Sequence, residues 1–428
     1  MILALACYGT RGDVEPGVVI GRELMARGHE VRMAVPPDMV GFANAAGLAA
    51  VAYGVDTQSW MDMHRNLWTG MSRNLWRIGE LTRLRRDLWQ QFMQSLDMAG
   101  TTLMSLADGC DALLTGRTLE EPAANVAEYY DIPLATVHHS PQRVHGQLFP
   151  YLPERLGRSA MTLNYRLYWR GIKQHDDAQR RELGLPEATA PTSHRIADRG
   201  SLEIQAYDEV CFPGVANEWA KWNGQRPFVG ALTMELPTDA DEEVKSWITA
   251  GRPPIFFGFG SIPVESADKT IAMIGAVCAE LGERAVVCAA GTDIDHILQF
   301  EHVKLVGAVN FGAVLPACRA AVQPGGAGTT SAALRAGIPT LILWTAPDQL
   351  GWARQVKRLK VGTARRFSAT TRETLVKDLR TILATPYVTR TREIATHMAK
   401  PAESAAAAVD LFENFARLGR DLRPGIES

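Results

Sequence analysis

The chain has 428 residues, more than one compact core holds and enough for two domains of about 200 residues each. Hydrophobic residues make up 46% and charged residues 21%, and the formal net charge is -2. This lacks the basic excess of a nucleic-acid-binding protein, so no nucleic acid partner is expected. Cys7, Cys110, Cys211, Cys278, Cys288 and Cys318 are scattered, with no pair at metal-ligand or redox spacing, so buried free thiols in a reducing compartment are expected.

The apolar run Ile2–Tyr8 predicts a buried strand. A helix follows from Pro16 to Arg27, with Pro16 in its first turn and Gly28 at its stop. Glu30–Val35 predicts the next strand and Pro37–Ala46 a helix. Ala112–Thr115 and Leu134–Val137 read as further strands, with Glu120–Tyr130 helical between them. After the polar stretch Thr238–Glu243 and the turn Gly251–Pro254 the alternation restarts. Strands are predicted at Ile255–Phe259, Ala285–Ala289, Val303–Val306, Ala320–Val322 and Thr340–Leu343, and helices at Ile271–Leu281, Thr330–Ala336 and Gln349–Leu359. Strand–helix alternation with near-continuous apolar strands indicates an α/β protein of two doubly wound parallel sheets. The expected division is an N-terminal domain over 1–228, a second over 229–400 and a C-terminal helix within 401–428 that packs back on the first.

The Met1–Cys7 run lacks the basic leader and cleavage site of a signal peptide, and no stretch approaches the ~20 apolar residues of a membrane span. A cytoplasmic protein is expected. The segment 60–92 interleaves Trp60, Trp68, Trp76 and Trp89 with six arginines, a pattern that suits peripheral contact with the inner face of the plasma membrane, or a solvated helix whose tryptophans are core.

The strongest local signal is Pro324-Gly325-Gly326-Ala327-Gly328-Thr329-Thr330, between a predicted strand and a predicted helix. Glycines let the backbone approach a diphosphate, and a helix start offers free N–H groups and positive dipole. The same turn without a ligand is the alternative, and no lysine follows to make it a Walker motif. Asp348 and Gln349 lie just past the next strand, where ligands of open α/β sheets bind; Asp348 is equally a helix cap. Ser261, in Gly258–Ser261 after the first strand of the second domain, is placed to reach a phosphate. In the first domain Gly9-Thr10-Arg11-Gly12-Asp13 follows strand one. Asp13 is a helix cap or a general base, and Arg11 pairs with it or contacts phosphate. His138, His139 and His145 lack metal-ligand spacing, because adjacent strand residues point to opposite faces, so no metal site is expected.

In this order these residues resemble the family-one glycosyltransferases of the GT-B fold over essentially the whole chain. The similarity is greatest to mycobacterial enzymes of glycopeptidolipid synthesis that transfer rhamnose or 6-deoxytalose, and it extends to glycopeptide-antibiotic glycosyltransferases. It rests on Tyr8–Pro16, on Arg27-Gly28-His29-Glu30-Val31, on Gly258–Ser261 and on Gly325–Thr330. Ser201–Tyr207 and Lys357–Gly362 are typical of the mycobacterial group.

The resemblance implies two Rossmann-like domains facing across a cleft, with acceptor bound by the first and a nucleoside diphosphate sugar by the second. It implies inversion at the anomeric carbon, no metal and no cofactor beyond the sugar nucleotide, dTDP- or UDP-linked. Asp13 matches the base. Ser261, Gly325, Gly326, Gly328 and Thr329 match the phosphate contacts, Asp348 and Gln349 the sugar hydroxyl contacts, and Val309 in the loop Val306–Phe311 the nucleobase edge. Arg11, Gly12 and Gln323 are expected near the donor, and His138, His139, Trp68 and Trp76 against a lipid or peptidolipid acceptor. One departure stands out. Gln323 and Pro324 replace the two histidines that usually precede the glycines, and proline has no donor to give a diphosphate. A non-catalytic relative that binds lipid or stabilises a partner is the alternative function.

Overall fold

The computed structural model describes residues 1–57, 78–147, 153–222, 224–259, 267–289, 300–346 and 349–421. The chain divides into two compact units, Met1–Leu232 with Pro401–Ser428, and Thr233–Lys400.

The first unit holds a six-stranded sheet of β1 Ile2–Ala6, β2 Glu30–Val35, β3 Ala50–Ala52, β4 Ala112–Gly116, β5 Leu134–His138 and β6 Leu202–Gln205. Its order is β3-β2-β1-β4-β5-β6, parallel throughout. The central strands are apolar at nearly every position because helices cover both faces. The second unit holds β7 Ile255–Gly258, β8 Ala285–Cys288, β9 Val303–Val306, β10 Ala320–Gln323, β11 Thr340–Trp344 and β12 Gly362–Arg366. Their order is β12-β11-β10-β7-β8-β9, again parallel. Counted from its own first strand, each sheet follows the doubly wound pattern whose direction reverses at a switch point. That switch point lies between β1 and β4 in the first unit and between β7 and β10 in the second.

The first helix spans Arg11–Ala26, five residues earlier than Pro16 suggests. Thr10 and Asp13 form a capping box that fixes the start, and Pro16 sits inside the helix, with no N–H to give the Gly12 carbonyl. Two long helices, Ile78–Ala107 and Glu154–Glu182, belong to the first unit. The last helix, Pro401–Asp421, belongs to it as well, although the second unit intervenes in sequence. Arg27 bonds Asp410 at 2.6 Å and Glu413 at 3.2 Å, and His29 also meets Glu413. All six cysteines are free and buried.

Candidate active site

In the second unit the glycine turn leaves β10 at the switch point. Gly325 has φ +107, and a Cβ there would lie 3.0 Å from Ile342 and 3.1 Å from Gln349, so only glycine fits. The helix that follows spans Ala327–Arg335, which brings Gly328 and Thr329 into its first turn. The first intrahelical bond runs from Thr330 N–H to the Gly326 carbonyl at 3.0 Å, so the amides of Ala327, Gly328 and Thr329 precede it. Gly326 is different from Gly325. It is exposed, has φ -63, and an added Cβ would meet nothing within 4 Å.

Gln323 corrects one expectation. Its side chain is 1% exposed and turned into the protein, not toward a ligand. Its Oε1 accepts from Gly325 N–H at 2.6 Å and its Nε2 donates to Thr330 Oγ1 at 2.8 Å. Gln323 therefore staples the turn from beneath, because β10 buries the face it points to. Gln349 lies against Gly325, with its Oε1 accepting from the backbone of Thr345 at 2.7 Å and Ala346 at 3.2 Å. This orients its remaining amide N–H2 group. Val309 is half-buried on a loop pinned by Asp241, whose Oδ1 accepts from Asn310 N–H at 2.9 Å. Ser261, Asp348, Trp68 and Trp76 lie outside the described residues.

In the first unit Asp13 is held on both oxygens. Oδ2 accepts from Thr10 N–H at 2.9 Å and Thr10 Oγ1 at 3.2 Å, and Oδ1 lies 3.0 Å from His139 Nε2. The Asp13 and His139 side chains each remain 31% exposed, so the carboxylate is ordered and still accessible. Gly9, at φ +136, makes room: a Cβ there would fall 2.4 Å from Asp13 Oδ2. Arg11 does not pair with Asp13. Its Nε donates to Glu15 at 3.1 Å and its guanidinium covers Phe42 at 4.9 Å, because position 15 lies one helical turn on. Gly12 lies in the first turn, and a Cβ there would meet nothing within 4 Å.

His138 is not available to an acceptor, contrary to expectation. It is fully buried on β5 opposite Gln205 of β6, whose Nε2 lies 3.4 Å from His138 Nδ1. The alternation of a strand sends His138 inward and frees its neighbour His139 to meet Asp13. Burial, reinforced by Arg143 and Arg117, holds the His138 pKa well below the usual value. The unfolded chain therefore takes up a proton on acidification through the ordinary histidine range that the folded chain refuses, so the buried His138 makes stability fall as the pH drops through that range. Urea titrations from pH 7 to 5 should show this fall reduced in His138→Gln.

Beside His138 lies a charge network that the sequence does not announce. Arg143 is 2% exposed and bonds both Glu120 and Glu203, with Glu120 Oε2 at 3.0 Å from its Nη1. Arg226 closes the set on Glu203 at 3.1 Å. Among the described residues no three His, Cys, Asp or Glu side chains are grouped to hold a metal ion.

Residues 3–138 match the glycosyltransferase family 28 N-terminal domain, and residues 269–412 the erythromycin biosynthesis protein CIII-like C-terminal domain. An uncharacterized glycosyltransferase of Mycobacterium leprae (strain TN) is 55% identical over 97% of this chain and 97% of its own length. The chain belongs to the GT-B glycosyltransferases. Glycosyltransferase GtfE of Amycolatopsis orientalis is 30% identical over 98% of each chain. A sterol 3-beta-glucosyltransferase of Arabidopsis thaliana is 26% identical over 96% of this chain and 67% of its own length. The crystal structure of glycosyltransferase VinC in complex with DTDP superposes with a TM-score of 0.65 at 19% identity, covering 98% of this chain and 100% of that one. This glycosyltransferase thus has two Rossmann-like domains with parallel sheets, and it transfers sugar from a nucleotide-linked donor.

Proposed function

We propose that this glycosyltransferase moves a hexose or 6-deoxyhexose, rhamnose and 6-deoxytalose foremost, from a nucleoside diphosphate to a hydroxyl of a lipid or peptidolipid, with inversion. The acceptor binds the domain over 1–228 and the donor the domain over 229–400. The turn at Gly325–Thr329 carries the donor assignment: it sits at the switch point, its first-turn amides precede the helix's own bonds, and Gly326 is glycine where the fold does not demand it. The diphosphate takes these amides, the Gln349 amide takes a sugar hydroxyl, and Val309 borders the base. DTDP bound to VinC supports a thymidine donor, and the sterol enzyme supports a hydrophobic acceptor.

Asp13 removes the acceptor proton as the acceptor oxygen bonds the anomeric carbon. The bond from that carbon to the β-phosphate oxygen breaks, and the nucleoside diphosphate leaves with its new charge on the helix-start amides. One displacement gives inversion. Calorimetric titration with dTDP and UDP, followed by mass spectrometry of products from a panel of sugar nucleotides with mycobacterial lipid extract, tests the scheme. Binding of neither nucleotide at millimolar concentration would instead support a non-catalytic lipid-binding role.

Two glycines separate fold from function. Gly326→Ser supplies a better helix cap and should leave Tm unchanged or raised. Its side chain intrudes where the phosphate approaches, and loss of one amide–phosphate bond, ~1.5–3 kcal/mol, weakens nucleotide binding about 10- to 100-fold. Gly325→Ala should instead destabilise the domain by about 1–3 kcal/mol through its left-handed backbone. Thermal melts with and without dTDP distinguish the two.

A further inference from the structure

The helix Glu154–Glu182 buries only one side. On the other, Leu156, Leu163 and Leu167 are 54%, 59% and 56% exposed. Their spacing of seven and four residues puts them on one stripe. Trp89 of the helix Ile78–Ala107 continues it: the ring lies against Gly171, where a Cβ would be 3.0 Å from it, and is 40% exposed. From Leu156 to Gly171 the apolar ridge runs ~22 Å.

The ridge is bordered by cations. Arg155, Arg166 and Arg170 are exposed along it, and Arg85 and Arg86 stand one turn from Trp89. None of these five has an ion-pair partner among the described residues. Arg158, by contrast, is engaged by Glu218 at 2.9 Å. Between Glu154 and Lys173 there are five basic residues and one acidic one, in a chain whose net charge is -2. Among the described residues no helix is long and apolar enough to cross a membrane.

We propose that this face lies on an anionic lipid bilayer, leucines and Trp89 at the acyl boundary and arginines on the headgroups. A row of leucines gains nothing from a nucleic acid, and a second copy of the face would set arginine against arginine. Anionic lipid satisfies both halves: apolar side chains enter the interface, while long arginine stems reach back to phosphate. The assignment rests on the helix surface alone and stands or falls independently of the sugar and acceptor proposed above.

The test is flotation of the full chain with phosphatidylcholine vesicles, with and without one third phosphatidylglycerol, in the absence of donor and acceptor. Wild type should float with the anionic vesicles and not with the neutral ones, and high salt should weaken binding. Arg155→Glu/Arg166→Glu/Arg170→Glu should lower the partition coefficient about 100-fold or more, since each surface arginine contributes roughly fivefold. Leu163→Asp/Leu167→Asp should abolish flotation with an unchanged melting temperature, and Leu418→Asp, exposed on another helix, should not. The proposal is overturned if wild type ignores anionic vesicles, if both multiple variants still float, or if the leucine variant's only effect is to turn a dimer into a monomer in size-exclusion chromatography.

Discussion

Asp13→Asn should lower turnover by about 10²- to 10⁴-fold, the range over which a positioned general base contributes. The substitution is close to isosteric, and an amide oxygen can still accept from Thr10 N–H, so the capping box survives and Tm should move little. Loss of rate without loss of fold is what distinguishes a base from a cap. Thr10→Ala makes the opposite perturbation: it removes the bond from Thr10 Oγ1 to Asp13 at a cost of ~1 kcal/mol and leaves the carboxylate in place. The contact at 3.0 Å from His139 Nε2 to Asp13 Oδ1 adds a second measurement. If His139 fixes the carboxylate, His139→Ala should reduce kcat more than it raises KM, and His139→Gln, which keeps an N–H donor, should recover part of the loss. Near-normal turnover of Asp13→Asn in single-turnover assays would move the base elsewhere.

The parallel sheets were legible because buried strands are almost wholly apolar, and the glycine turn because a run of glycines between an apolar strand and a helix marks a close backbone turn. Among the edge strands β9 was predicted at Val303–Val306, but β3, β6 and β12 were not. β12, Gly-Thr-Ala-Arg-Arg, is an edge strand with only Gly362 fully buried, and β6 carries Glu203 and Gln205 inward, so neither has the apolar run that marks β1. The helix start at Arg11 was encoded in Thr10 and Asp13, but Pro16 competes as a start signal and sits inside the helix instead. In the candidate site, position along the chain correctly put Gln323 beside the turn. Whether its amide faces a ligand or the turn depends on Thr330 and Gly325 meeting it in space, which no spacing rule states. The same holds for Asp13 and His139, which lie 126 residues apart.

Arg143→Met should destabilise the first unit by about 3–5 kcal/mol, because it leaves two carboxylates buried without their cation. Glu120 is 1% and Glu203 0% exposed, so neither can recover the lost bonds from water. Arg226 still reaches Glu203, and Arg117 lies 3.4 Å from Glu120, so part of the charge stays compensated and the cost should sit toward the lower end of that range. Adding Glu120→Gln and Glu203→Gln to the Arg143→Met variant should recover part of the stability, since neutral amides carry a smaller desolvation penalty than unpaired charges; the recovery is partial because Arg226 then keeps an amide oxygen in place of its carboxylate. Urea denaturation of the single and triple variants reads this directly. If the single variant loses less than about 1 kcal/mol, water reaches the carboxylates and the network is not dry. The network also bears on the site, because Arg143 and Arg226 act electrostatically on His138 at the end of β5, next in sequence to His139, which meets Asp13. A protein kept folded by the triple substitution but with kcat reduced would show that this buried charge set positions the base's partner as well as holding the sheet.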